Sequence, residues 1–171
     1  MSFKSEKEMT NYIDIFFNKT FKDQNDKIEY YKEFRGLAGR PDYLIIQKET
    51  KLQNINYIIT VELKLRNWQR ALEQAYRYST YSNESFVIMD SDFVHNAVNN
   101  LNQFKKFNIG LASFDLDENF TIHYYPEPSR PFSKYYLRKM TKKFKNNYNL
   151  NLTYNEINKP EISNYLKKYT I

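Results

Sequence analysis

Asp42, Glu62 and Lys64 are the residues of this chain whose types and spacing could do chemistry. They occur in Gly39-Arg40-Pro41-Asp42 and in Val61-Glu62-Leu63-Lys64-Leu65, each set in a β-rich run. Two carboxylates and an ammonium brought together in this way can hold a divalent cation against a phosphodiester. An oxygen-rich pocket suits Mg²⁺ or Mn²⁺ better than zinc. The chain has no Cys and only two His, His95 and His123, too far apart in sequence to form a zinc-ligand motif. Taken singly, Pro-Asp is a common turn starter and Glu-x-Lys a common solvated strand face. Their order, and the elements each falls on, favour a site.

Those elements follow from periodicity. Between Asn56 and Leu65, Tyr57, Ile59, Val61, Leu63 and Leu65 alternate with Ile58, Thr60, Glu62 and Lys64, so the strand places Glu62 and Lys64 as neighbours on one surface. The run from Asp42 to Gln47 predicts a second strand, entered through a turn at Gly36-Leu37-Ala38-Gly39 from a first strand at Ile28 to Phe34. Lys48 to Asn54 reads as a polar hairpin loop. If these strands pair, both carboxylates approach one point. A helix from Ser2 to Phe21 precedes them, with Met9, Tyr12, Ile13, Phe16 and Phe17 as its apolar face. After them come a helix at Trp68 to Tyr81, a strand at Ser85 to Met89, and a helix at Asp92 to Lys105 capped by Ser91 or Asp92. Strands at Ile109 to Phe114 and Asn119 to Tyr125 follow, paired antiparallel.

With Pro41-Asp42 followed by Glu62-x-Lys64, the chain resembles the PD-(D/E)XK nuclease superfamily, which includes restriction endonucleases, Holliday-junction resolvases and phage exonucleases. Gln74-x-x-x-Tyr78 in the next helix is similar to the QxxxY motif of many of its members, and places both side chains one turn apart on one face. The resemblance covers roughly the first two thirds of the chain. It implies an α/β, restriction-endonuclease-like αβββαβ core with a mixed central sheet flanked by helices. It implies that Asp42, Glu62 and the backbone carbonyl of Leu63 ligate Mg²⁺ or Mn²⁺. Lys64 would orient or deprotonate the attacking water, or neutralise charge on the phosphate, and Gln74 and Tyr78 would support the site or position phosphate. For the further acidic ligand that many members draw from the first helix, Glu8 is the first candidate, Glu6 the second and Glu33 a weaker rival.

The rest of the composition is consistent with a polyanionic partner. Net charge is +6 and pI near 9.2. Between Arg130 and Lys145 there are seven basic residues and no acidic one. At helical spacing Phe132, Tyr136, Met140 and Phe144 form a core-facing stripe, and Lys134, Arg138, Lys142 and Lys145 an outward stripe suited to phosphates. Arg35 and Arg40, on either side of the expected turn, join these as nucleic-acid contacts. DNA is the expected partner, with RNA open as an alternative polyanion, and a homodimer is the arrangement that cutting both strands would call for. At 171 residues with 41% hydrophobic content the chain suits one domain: a core over residues 1–128, then a basic helical C-terminal extension over residues 129–171. Pro126 to Pro131 reads as the linker between them, Asn146 to Asn158 as a loop, and Glu161 to Tyr169 as a last helix. No run has the length of a membrane span, and the polar N-terminus and absent Cys lead to an expected cytoplasmic location. The competing readings are a nucleic-acid-binding module without chemistry, a nuclease subunit acting only within a larger DNA-processing complex, and a metal-free protein whose strand carboxylates form structural ion pairs.

Overall fold

A computed structural model describes residues 2–22, 27–35, 38–49, 54–152 and 161–171. It is an α/β structure built on an open, mixed sheet of seven strands. The helices are α1 (Glu6–Phe21), α2 (Trp68–Tyr78), α3 (His95–Asn99), α4 (Leu101–Phe107), α5 (Lys134–Tyr148) and α6 (Glu161–Lys167). The strands are β1 (Ile28–Lys32), β2 (Tyr43–Glu49), β3 (Asn54–Lys64), β4 (Glu84–Asp90), β5 (Gly110–Phe114), β6 (Phe120–Tyr124) and the two-residue β7 (Asn151–Leu152). Six strands lie side by side in chain order, and β7 adds to the N-terminal part of β3. The pairs β1/β2, β2/β3 and β5/β6 are antiparallel, whereas β3/β4 and β4/β5 are parallel and need the crossover helices α2 and α3–α4 between them.

The alternation in β3 is as its sequence predicts, and both its faces are covered. Tyr57, Ile59, Val61 and Leu63 enter a core with Met9, Ile13, Phe16 and Phe17 of α1 and Ile162 and Leu166 of α6. Ile58 faces the other way, with Leu44, Ile46, Tyr78, Tyr81 and Met140 and Phe144 of α5. Further along that second face, Val87, Met89 and Leu111 pack against Ala71, Leu72 and Ala75 of α2 and Phe104 of α4. Tyr43, opposite Val61, brings the start of β2 level with the end of β3, so Asp42 comes beside Glu62 and Lys64.

Four expectations are corrected. The first helix starts at Glu6 rather than Ser2, because Ser5 Oγ accepts the Glu8 N–H as N-cap while Phe3 is buried and donates its N–H to Asp90. The single helix expected after Ser91 is two short ones. Asn100 leaves helical backbone angles and donates through its amide to the Asn96 carbonyl, a side-chain bond that competes with the helix ladder. Neither Ser91 nor Asp92 caps it; Val94 is the N-cap, without a side-chain bond. Lastly, Pro126 to Pro131 is no free linker: Ser129 N–H donates to the Asn83 carbonyl, Asn83 Nδ2 returns a bond to the Ser129 carbonyl, and Phe132 and Ser133 N–H groups reach the end of α2. With α5 on one face and α6 on the other, the described C-terminal residues complete both helical layers. Of the expected turn at Gly36 to Gly39, hairpin loop at Lys48 to Asn54 and loop at Asn146 to Asn158, residues 36–37, 50–53 and 153–158 lie outside the described residues; Lys48 and Glu49 belong to β2, Asn54 to β3, Asn146 to Tyr148 to α5, and Asn151 and Leu152 to β7.

Candidate active site

The end of β3 and the start of β2 form the floor of the site. Asp42 directs Oδ2 to the N–H of Leu63, 2.7 Å away, which ties the first motif to the second. Glu62, only 2% exposed, accepts from Tyr78 Oη at 2.9 Å through Oε2, while its Oε1 lies 3.4 Å from Lys64 Nζ. Lys64 Nζ is also 3.3 Å from Glu6. The Lys64 side chain, 15% exposed, therefore bridges the carboxylate of β3 and the first turn of α1.

Electrostatics couple the carboxylates. Burial raises the Asp42 carboxyl above its ordinary pKa, with Glu6 and Glu33 adding to the rise, while the Leu63 N–H and Lys64 oppose it. Burial, then the charge of Asp42, push Glu62 up to about 7, against the opposing pull of Tyr78 and Lys64. Two carboxylates that resist losing their protons together constitute an environment that a cation relieves.

Tyr78 holds the two halves of the site in place. Its hydroxyl also lies 3.2 Å from the Arg40 carbonyl, and its ring presses on Gly39. Gly39 has φ +126°, and a Cβ there would stand 2.8 Å from the Tyr78 ring, so both backbone angle and space require glycine. A buried hydroxyl cluster fixes the end of α2 behind Tyr78: Thr60, Ser82 and Ser85 bond one another, Ser79 reaches Ser85, and Ser82 Oγ donates to the Tyr78 carbonyl.

Comparisons with protein-family models, with curated proteins and with solved structures return no match. The geometry alone therefore locates each expected residue. It brings together Asp42, Glu62, Lys64 and Tyr78. Gln74 lies one turn before Tyr78 on the same helix, with its Oε1 buried and without a hydrogen-bond partner. Glu8 is turned to a local task, accepting the Lys4 N–H at 2.6 Å in a capping arrangement, so Glu6 and not Glu8 is the α1 carboxylate at Lys64. Glu33 is paired with Arg40, which also donates to the Glu33 carbonyl. Arg40 is thereby committed to a protein carboxylate, whereas Arg35 is exposed. Lys134, Arg138, Lys142 and Lys145 are all exposed on α5, and the buried stripe of that helix is Met140 and Phe144, with Phe132 58% exposed.

Tyr81 and the hydroxyl cluster escape sequence reasoning. Tyr81 is fully buried next to Tyr78, its hydroxyl has no hydrogen-bond partner, and Glu62 raises its pKa after burial does. Its only signal in the sequence is its place one turn beyond Tyr78. Among the described residues no three His, Cys, Asp or Glu side chains gather as a metal cage. What the site offers is the pair of carboxylates of Asp42 and Glu62, both with a raised proton affinity. Hard oxygen donors with a raised proton affinity fit a Mg²⁺ or Mn²⁺ ion.

Proposed function

We propose that this chain is a divalent-metal-dependent nuclease of the PD-(D/E)XK type, hydrolysing phosphodiester bonds in DNA. The observation that carries this reading is the junction of Asp42, Glu62 and Lys64 at one end of β2 and β3, with Tyr78 of the Gln-Tyr helix bonded to Glu62. Asp42, Glu62 and the Leu63 carbonyl would hold Mg²⁺ or Mn²⁺, and Glu6 stands close enough to Lys64 to serve at its outer side. Such an ion supplies Lewis-acid polarisation of the phosphoryl group and a lowered pKa for water. The chain's own contribution is positional. Asp42 is oriented by the Leu63 N–H and Glu62 by the Tyr78 hydroxyl, so neither carboxylate needs to reorganise on binding. The Lys64 ammonium, between Glu62 and Glu6, is placed to neutralise charge gathering on the phosphate and to orient the attacking water.

The test is a cleavage assay on linear, circular, single-stranded and branched DNA with Mg²⁺, Mn²⁺ or chelator, run beside Asp42→Asn and Lys64→Ala. Asp42→Asn is preferred to alanine because it keeps an acceptor for the Leu63 N–H while removing the charge. The wild type cuts only with metal, Asp42→Asn loses both Mn²⁺ binding and cutting, and Lys64→Ala retains Mn²⁺ but turns over about a hundredfold more slowly. Metal-independent cutting, or undiminished cutting by Asp42→Asn, defeats the proposal.

A further inference from the structure

The edge of β1 away from β2, unpaired among the described residues, floors an open groove of about 880 Å³. Phe21 and Lys22 at the end of α1 form one wall, and Lys143 and Tyr148 near the end of α5 the other. That volume is in the range of binding sites for small ligands, about 300–1,000 Å³.

Charge along the groove is unevenly answered. Glu29 is paired with Lys48, Glu33 with Arg40, and Lys32 with Asp14 at 2.7 Å. Besides Lys22 on the α1 wall, Arg35 and Lys143 remain, with no carboxylate partner among the described residues. They are adjacent: Lys143 Nζ donates to the Arg35 carbonyl and stands 4.5 Å over the ring of Phe34. Burial and then the Arg35 charge hold the Lys143 ammonium below the usual lysine pKa. Two like charges side by side without an internal counter-ion are stabilised by an external anion. Next to them Tyr148, 40% exposed, packs on Tyr31 at 4.8 Å and on Phe34 at 6.3 Å, offering an aromatic surface at the groove wall. A basic groove with aromatic surfaces is how sequence-tolerant proteins grip unpaired nucleic acid. One end of the groove is next to the backbone of the site, since Glu33, which lines it, donates its N–H to the Asp42 carbonyl at 2.8 Å.

We propose that the β1 groove binds a single-stranded polynucleotide, with a phosphate between Arg35 and Lys143 and a base against Tyr148, and guides that strand to Asp42. The guiding step rests on the nuclease reading; the binding step does not.

The experiment measures fluorescence anisotropy of the whole chain in chelator, with a short oligothymidylate, an oligouridylate of the same length, a duplex of the same length, and poly-glutamate of matched charge. Variants are Arg35→Gln/Lys143→Gln and, separately, Tyr148→Ala, each checked by thermal melting. The expected result is tighter binding of the unpaired strands than of duplex or poly-glutamate. Affinity for the unpaired strand should fall about tenfold in each variant. The salt slope should decrease by about 0.7 in the charge variant alone, one phosphate contact being lost. Equal oligouridylate and oligothymidylate binding supports the proposal, since both present the same phosphates and ring faces. Equal binding of all polyanions, or no effect in either variant, overturns it. Groove variants that lose strand binding in a protein that cuts nothing keep the groove and dismiss the nuclease; a metal-dependent nuclease that binds as before when the groove is altered does the reverse.

Discussion

The hydroxyl of Tyr78 is the most consequential single group around the carboxylates, because it donates to Glu62 while its ring sits on Gly39. Tyr78→Phe keeps the ring and removes the donor. Glu62, already held near 7, should then take its proton still more readily, and Mn²⁺ affinity should drop about ten- to a hundredfold, as it does when the partner of a ligand is lost. Isothermal titration with Mn²⁺ reads this directly; unchanged affinity would mean that Tyr78 acts only through packing. At this level the sequence was informative where chemistry depends on backbone alternation. Glu62 and Lys64 share a surface because they are two apart on a strand, and Asp42 arrives beside them because antiparallel pairing brings the start of one strand to the end of the next. It did not tell which α1 carboxylate stands at Lys64, which is Glu6. Glu6 and Glu8 are both in the first turn, and the difference is set by Ser5 as N-cap, which draws the segment around Glu8 into a local capping arrangement with Lys4.

Among the helices, α5 shows how one segment can combine packing and charge. Its buried Met140 and Phe144 fill the core beside Phe34 and Tyr78, so deleting the chain after Pro128 would open the core and could not isolate a binding effect. Substitution of the exposed quartet is the cleaner probe. Lys134→Gln, Arg138→Gln, Lys142→Gln and Lys145→Gln together should leave the melting temperature within a few degrees and lower the salt slope of duplex binding by up to about 3. A slope that does not move assigns the quartet to solvation. Strands and long helices were legible from their periods, because a half-buried face imposes its repeat on the sequence. The break at Asn100 was not, since it hangs on a competing side-chain bond, and the docking of Pro126 to Pro131 was not, since it depends on Asn83, far away in the chain.

Across the fold, stability should respond to a second buried carboxylate remote from Asp42. Glu84 accepts from Tyr57 at 2.8 Å, Tyr125 at 3.0 Å and Ser163 at 3.3 Å, joining β3, β4, the end of β6 and α6. Burial outweighs those bonds and raises its pKa to about 7. Between its ordinary pKa and that value the folded state therefore holds a proton that the unfolded state has released, and this group's contribution to stability is full below its ordinary pKa and is lost as pH rises through about 7. The loss from this group is on the order of 3 kcal/mol. Glu84→Gln carries no such charge, so thermal melts from pH near 4 to pH near 8 should be flatter for that variant than for the wild type. Parallel curves would show that the carboxylate is solvated. No long-range arrangement of this kind could be read in advance, because the four residues come together only through the order of the strands.

The two rims of the sheet differ. The β6 rim is occupied: Ile122 N–H bonds to the Tyr169 carbonyl, Ile171 N–H returns to the Ile122 carbonyl, and Ile122 bridges Thr170. At the opposite rim β1 has only β2 as a paired neighbour among the described residues. Any strand added to this sheet would fall on that one side of the molecule, the side that also carries the groove. If copies did join along that rim they would cover the groove, so on the proposal above dilution would favour binding of an oligonucleotide and concentration would oppose it.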